Sequence, residues 1–180
     1  MNIRAVVPNV TQEQAVCLFA PSGVSGRMHR IYRGRLLAVA LVYVPFHVFW
    51  TEMGNGAHCQ KRLFGVDAVN GSLDLYGFGD DVPPTEWLHT RNVIAPRLGE
   101  SAAREALAHK LRRVVFGRSF FRVREFEMGL QPVLELYMPY WLGFCSGKNS
   151  LSLSVVDGMR RRVEGAKLRH LVRNWLSERV

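Results

Sequence analysis

The sequence has few cysteines, and none of them belongs to a recognisable metal or redox motif. The 180 residues include three cysteines, Cys17, Cys59 and Cys145. Their odd number and wide spacing predict reduced thiols and no disulfide framework. The sequence contains no Cys-x-x-Cys, no His-x-x-x-His, and no third glycine after Gly77-x-Gly79. We therefore expect no metal site and no cofactor, and these patterns assign no catalytic residue.

A hydrophobic run long enough to cross a membrane is also missing. The uncharged stretch from Leu36 to Trp50 has 15 residues, whereas a helix needs about 20 to span a bilayer. It contains Pro45 and His47 and is rich in β-branched and aromatic residues, which favours a buried strand. The first residues lack an apolar stretch of signal-peptide length, so a cytoplasmic protein without a transmembrane segment is expected.

Acidic residues are scarce relative to basic ones. There are 15 against 24 lysines and arginines, which gives a formal net charge of +9. Such an excess favours an anionic partner. The expected partner is a protein with an acidic surface, and nucleic acid is the alternative. A basic face that only keeps the protein in solution is the remaining interpretation.

Three helices are predicted from capping signals and apolar spacing. Thr11 and Gln14 form a capping box in front of the first helix. Ser101 opens a second helix, and a third is expected near residues 164–177, where apolar residues recur at helical spacing. Strand-like runs follow the first two helices, so the sequence predicts an α+β protein.

The two halves of the chain resemble each other. A shift of 94 residues places Tyr43-Val44-Pro45-Phe46-His47 on Tyr137-Met138-Pro139-Tyr140-Trp141, and it also places Gly23 on Gly117. Beyond this Tyr-x-Pro-aromatic motif the register slips by seven residues, and Asn70-Gly71 then matches Asp157-Gly158. The order of these signals predicts an internal duplication.

Asn70-Gly71 and Asp157-Gly158 each lie between two strand-like runs. Such dipeptides favour tight hairpin turns because glycine and asparagine tolerate positive φ. We therefore expect two paired hairpins, with Gly71 and Gly158 both at positive φ.

The predicted organisation is a first α+β repeat at 1–79, a linker at 80–100, and a second repeat at 101–180 that ends in a helix. Each repeat is expected to place a helix on an antiparallel sheet. In the order of its elements the chain resembles tandem cystatin-like or PepSY-like proteins, with one such unit occurring twice. This resemblance implies a fold and no particular activity.

Two groups of residues are candidates for binding. The first is a C-terminal basic cluster, whose strand and helix could place several cations on one side: Arg160, Arg161, Arg162, Lys167, Arg169 and Arg173. In a strand, Arg161 should point opposite to its two neighbours. The second is an aromatic groove formed around the repeated motif: Tyr43, His47, Trp50, Tyr137 and Trp141.

The leading hypothesis for function is a non-enzymatic binding or assembly module that acts through protein–protein contacts. It depends on the excess of positive charge and on the lack of a catalytic motif. One alternative is a nucleic-acid-binding protein that uses the C-terminal basic cluster. Another is a small-ligand pocket or an enzyme of unknown reaction, with His47, Trp50 or Trp141 in its lining.

Overall fold

A computed structural model of the chain describes residues 1–21, 34–55, 58–118, 127–146 and 151–179. These residues form seven strands and three helices, so the predicted α+β class and C-terminal helix are confirmed. The strands are β1 (Asn2–Val6), β2 (Arg35–Asn55), β3 (His58–Asp67), β4 (Tyr76–Gly79), β5 (Thr85–His89), β6 (Glu127–Ser146) and β7 (Leu151–Asp157). The helices are α1 (Gln12–Phe19), α2 (Glu100–Arg118) and α3 (Ala166–Ser177).

The sheet is mixed, which corrects the expectation of an antiparallel sheet. Within the described ranges its hydrogen-bonded order is β4-β3-β2-β6-β1-β5, and β7 also pairs with β6. The pairs β2–β3, β3–β4, β6–β7 and β1–β5 are antiparallel, whereas β1 joins β6 in parallel at Ala5 and Tyr137. A long connection separates β1 from β6 in the sequence, and parallel pairing requires such a connection.

The chain divides into two compact units, and each unit takes segments from both halves of the sequence. Unit 1 consists of Met1–Val6, Val44–His89 and Ala95–Tyr137. Unit 2 consists of Val7–Tyr43, Thr90–Ile94 and Met138–Val180. The division into repeats at 1–79 and 101–180 stays a prediction. Its linker at 80–100 contains β5, which pairs with β1.

In unit 1, α2 covers the hairpin formed by β2 and β3. Its buried stripe of Ala103, Leu107 and Leu111 recurs every four residues and contacts Phe49 and Val66 from the two strands. All five residues are at most 2% exposed. The helix is therefore held by its apolar face, as expected for a helix in a globular protein.

In unit 2, the short helix α1 packs near the hairpin formed by β6 and β7. The predicted capping box is present, because Thr11 Oγ1 accepts from Gln14 N and Gln14 Oε1 accepts from Thr11 N. Phe19 at the end of α1 shares a core cluster with Trp141 of β6 and Val156 of β7. The capping box fixes where the helix begins, and the aromatic rings secure its end.

Both predicted turns differ from two-residue hairpins. Gly71 has the predicted positive φ of 67°, but it lies in a longer connection between β3 and β4. Gly158 is not in the left-handed region, and Arg161 is, with φ of 53°. Gly158 serves close approach instead, because a Cβ there would lie 2.7 Å from the Pro139 carbonyl oxygen.

Buried carboxylates organise both turns. Asp67 is fully buried, and its Oδ1 accepts from the amides of Asn70 and Gly71 at 3.0 and 2.9 Å. Asp157 is 1% exposed and accepts from the amides of Met159 and Arg160 at 2.7 and 3.0 Å. In each turn, the residue four positions after the aspartate has positive φ.

Matched backbone hydrogen bonds recur in the two units. The residue that follows each buried aspartate makes two backbone hydrogen bonds. Its amide donates to the carbonyl of the motif proline, and its carbonyl accepts from an amide shortly before a helix. In unit 1 these bonds are Ala68 N to Pro45 O and Leu98 N to Ala68 O; in unit 2 they are Gly158 N to Pro139 O and Val10 N to Gly158 O. A parallel pair also recurs, Ala5 with Tyr137 in unit 1 and Tyr43 with Val93 in unit 2.

Candidate functional site

All six residues of the predicted basic cluster lie in unit 2. Arg169 is partly buried, and the other five residues have exposed side chains. They lie on two neighbouring elements. The turn after β7 contains Arg160, Arg161 and Arg162, and α3 contains the remaining three.

The turn presents three consecutive arginines because it is not the predicted strand. Arg161 N donates to Asp157 O at 3.1 Å, and Asp157 N donates to Arg162 O at 2.8 Å. The chain then returns to β7, where Val163 forms an isolated bridge to Val156 and Glu164 N donates to Val155 O at 2.8 Å. The strand expected over these residues is therefore absent, and all three side chains are exposed. The predicted opposite direction of Arg161 stays a prediction.

Helix α3 divides into a buried face and a basic polar face. Leu168, Leu171 and Val172 are at most 5% exposed and anchor the helix. The exposed side chains of the helix are Ala166, Lys167, His170, Arg173, Asn174 and Ser177. This exposed face contains no carboxylate and no large apolar side chain.

The positive charge of the chain belongs to unit 2. Its segments contain 13 lysines and arginines against 4 acidic residues, whereas unit 1 contains 11 of each, so the formal net charge of +9 falls on unit 2. One of the four acids, Asp157, is buried in the turn. Another, Glu164, has its Oε1 3.6 Å from Nε of Arg162. The formal charge of unit 2 is therefore strongly positive, whereas that of unit 1 is zero.

An arginine outside the predicted cluster also belongs to this unit. The Arg179 guanidinium lies 4.4 Å from the centre of the Trp175 ring and donates to the carbonyls of Arg91 and Val93 at 2.9 and 3.4 Å. Sequence reasoning missed Arg179, because nothing in the sequence near Arg179 indicates that residues about 90 positions earlier are its partners. These contacts assign Arg179 to securing the C-terminus of α3.

The five residues of the predicted aromatic groove are divided between the units. Unit 1 contains His47, Trp50 and Tyr137, and unit 2 contains Tyr43 and Trp141. Tyr43, Tyr137 and Trp141 are 6, 5 and 8% exposed. The Lys61 ammonium lies 5.2 Å from the centre of the Trp50 ring. The groove stays a prediction.

Two of these rings hold loops that lead into helices. His47 Nε2 lies 2.8 Å from the carbonyl oxygen of Leu98, two residues before α2, and Trp141 Nε1 donates at 2.8 Å to the carbonyl of Val10, two residues before α1. Each ring therefore satisfies a backbone acceptor at the start of a helix. The 94-residue shift aligns His47 with Trp141. Both rings contact a backbone carbonyl before a helix, which explains why this position of the motif has a nitrogen-containing ring in both halves.

Unit 1 adds a polar neighbour that unit 2 lacks. Glu135 lies with its Oε2 4.0 Å from Nδ1 of His47 and also hydrogen-bonds Tyr137. Burial, followed by the charge of Glu135 and this hydrogen bond, raises the pKa of Tyr137 to about 12. The 94-residue shift places Leu41 at the position of Glu135. Sequence reasoning missed Glu135, although it is the only acid among the seven residues before Pro139.

Among the described residues, no group of three or more His, Cys, Asp or Glu side chains is arranged to hold a metal ion. Cys17 is exposed and Cys145 is buried. The side chains of His58 and Cys59 lie outside the described part of the chain. No helix in the described ranges is both long and apolar enough to cross a membrane.

Comparisons with known proteins give no relative from which a function could be transferred. No protein-family model matches the sequence, and no curated protein or solved structure is significantly similar to it. The arrangement of the chain's own residues is therefore the basis for any function, and its most distinctive feature is the basic surface of unit 2.

Proposed function

We propose that this chain is a non-enzymatic binding module whose unit 2 contacts an anionic partner. The observation that carries the proposal is the division of charge, with 13 basic and 4 acidic residues in unit 2 and 11 of each in unit 1. Solubility alone gives no reason for one unit to be neutral while the other holds the whole excess. A concentrated basic surface instead attracts an anionic partner and speeds its association.

The backbone of Arg161 supports the same proposal. A left-handed conformation costs a residue with a side chain about 1–2 kcal/mol, and glycine avoids most of that cost. Unit 1 has Gly71 four residues after its buried aspartate, and unit 2 has Arg161 four residues after Asp157, with φ of 67° and 53°. An arginine at a position suited to glycine is consistent with selection for its charge.

A heparin column tests whether the surface or only the net charge is responsible. The variant Arg160→Glu/Arg162→Glu reverses two charges in the turn of unit 2. The control Arg112→Glu/Arg113→Glu makes the same net change on exposed residues of α2 in unit 1. We expect the unit 2 variant to elute at clearly lower salt than both the parent and the control.

Both variants should fold, since exposed substitutions shift stability by about 0.5 kcal/mol or less. Circular dichroism and urea unfolding check this. Equal loss of retention in the two variants would show that heparin senses net charge alone, and the proposal would then be wrong.

We also propose that the two halves are copies of one cystatin-like α+β plan. The support is the repeated set of backbone bonds around Pro45 and Pro139 and the recurring parallel pair. In this proposal each copy gives its hairpin to one unit and its helix to the other. Separately expressed segments 1–90 and 91–180 should then fold only when a second copy or the other segment is present. A folded, monomeric single segment would contradict it.

A further inference from the structure

We propose that the anionic partner is a nucleic acid, bound through its sugar-phosphate backbone by the exposed face of α3 and the Arg160–Arg162 turn. This inference rests on the proposed function and makes it more specific. It chooses between two polyanions, a nucleic acid and a protein with an acidic surface. The choice depends on which side chains accompany the positive charge.

The exposed face of α3 lacks what a protein interface needs at its centre. Protein interfaces have an apolar, water-excluding core in which charged residues are depleted, and a few aromatic or arginine anchors there carry most of the binding energy. The large hydrophobic side chains that are exposed in the described chain include none from α3. Trp175, the aromatic residue of the helix, is only partly exposed and is covered by Arg179.

The same face has the composition of a phosphate-contacting surface. Interfaces with nucleic acid are more polar and more positive, and most of their hydrogen bonds join phosphates to Arg, Lys, Asn, Ser or backbone amides. Four exposed side chains on this face are of these types: Lys167, Arg173, Asn174 and Ser177. The nearest exposed acidic side chain after them is Glu178, beyond the end of α3.

The cations are distributed in a way that suits a continuous polyanion. Lys167 and Arg173 are six residues apart, which is about 9 Å along a helix axis, and the turn adds three arginines before the helix begins. Duplex DNA carries one negative charge per about 1.7 Å of its axis. A nucleic acid can therefore meet dispersed cations at many registers, whereas a folded acidic protein must match each one. Such contacts position a backbone and do not read bases.

The test measures binding of the full chain to fluorescent duplexes of about 20 base pairs by anisotropy, between about 50 and 200 mM salt. Two duplexes of unrelated sequence are compared with heparin and with poly-glutamate. Because each phosphate contact contributes about 0.9 to the slope of log K against log salt, Lys167→Ala/Arg173→Ala should lower that slope by about 2. The control Arg112→Ala/Arg113→Ala on α2 should leave the slope unchanged.

Each outcome separates this inference from the proposed function. Similar affinity for both duplexes, with the expected loss of slope confined to the α3 variant, supports the inference. Binding to poly-glutamate that is tighter than binding to either duplex identifies an acidic protein as the partner and overturns it. Binding to heparin without binding to the duplexes overturns the inference and leaves the proposed function standing. Failure to bind any of these polyanions overturns both.

Discussion

Unit 1 and unit 2 solve the same backbone problem with different side chains. His47 and Trp141 each secure a carbonyl two residues before a helix, at the same distance of 2.8 Å. Each unit also has a buried aspartate that holds the amides of a turn. The shared elements are hydrogen bonds to the backbone, while charge and exposed side chains differ. Backbone architecture and surface chemistry can therefore vary independently in this fold.

The packing of the helices shows a second difference between the units. Unit 1 has the large ring of Phe49 on its strand, packed with the small Ala103 and with Leu107 on α2. At the position 94 residues later in the sequence, unit 2 has Gly143, and the ring of Phe19 from α1 occupies the space above it. A large ring therefore comes from the strand in unit 1 and from the helix in unit 2.

The largest expected effect comes from filling the space above Gly143. A Cβ there would lie 2.6 Å from Cγ of Phe19, so Gly143→Ala must displace a buried ring. We expect a loss of about 3 kcal/mol in the free energy of unfolding, at the upper end for overpacking. The control is Gly77→Ala in unit 1, where the nearest atom would be 3.7 Å away. If both variants unfold at the same urea concentration, the packing difference has been misread.

The next effect tests the two rings that hold the helix starts. Trp141→Phe keeps an aromatic ring in place but removes the indole N–H that donates to the Val10 carbonyl, together with part of the packed ring system, which should cost about 1–3 kcal/mol. His47→Phe makes the corresponding change in unit 1, where the ring is 13% exposed and water can partly replace the lost bond. We expect the smaller loss for His47→Phe in urea unfolding, and the reverse order would contradict this account.

Alkaline pH should affect the two units unequally through Tyr137. Its folded pKa of about 12 lies above the usual value of 10, so the neutral form is favoured in the folded state. This contribution is fully present below pH 10 and is lost as the pH rises from 10 towards 12. At pH 11 the loss is about 1 kcal/mol.

Urea unfolding at pH 9 and pH 11 measures this loss in the parent and in Tyr137→Phe. The variant should lose about 1 kcal/mol less than the parent on going to pH 11. Glu135→Leu, which introduces the residue found at the equivalent place in unit 2, should reduce the effect only in part, because burial is its main cause. An identical pH response in the parent and in Tyr137→Phe would rule out Tyr137 as its source.

The smallest effect is a gain in stability. Arg161→Gly relieves a side chain in the left-handed region and should raise the free energy of unfolding by about 0.5–1 kcal/mol. The same variant should bind heparin more weakly, which would separate stability from binding. Gly71→Ala makes the opposite change in unit 1 and should destabilise it. A destabilised Arg161→Gly would mean that the arginine side chain contributes to the fold itself.

The sequence predicts those elements whose causes are local. The capping box at Thr11, the start of α2 and the amphipathic helix α3 each depend on residues within a few positions, and all three are confirmed. The turns were only partly predictable, because a buried aspartate replaces the expected glycine at Gly158 as the organising residue. The Asp-Gly pattern gives no information about whether its aspartate is buried.

Features that depend on distant residues could not be predicted. The parallel pair of Ala5 with Tyr137 makes the sheet mixed, and its partners lie 132 positions apart. The basic cluster was found in the sequence, but the net charge of its unit requires knowing that Val7–Tyr43 and Thr90–Ile94 join the C-terminal segment. The division of charge between the units therefore becomes visible only with the fold.

Unit 1 is assembled from segments that lie far apart in the sequence, and this has a consequence for synthesis of the chain on the ribosome. Its first segment, Met1–Val6, contains β1 and belongs with segments that extend to Tyr137, so β1 emerges long before its parallel partner. At translation rates of about 5–20 residues per second, the wait is on the order of 10 s. Contacts between residues so far apart also slow folding after release. During that interval the edge of β2 that pairs with β6 is uncovered, and unpaired strand edges of this kind make a folding chain prone to aggregation.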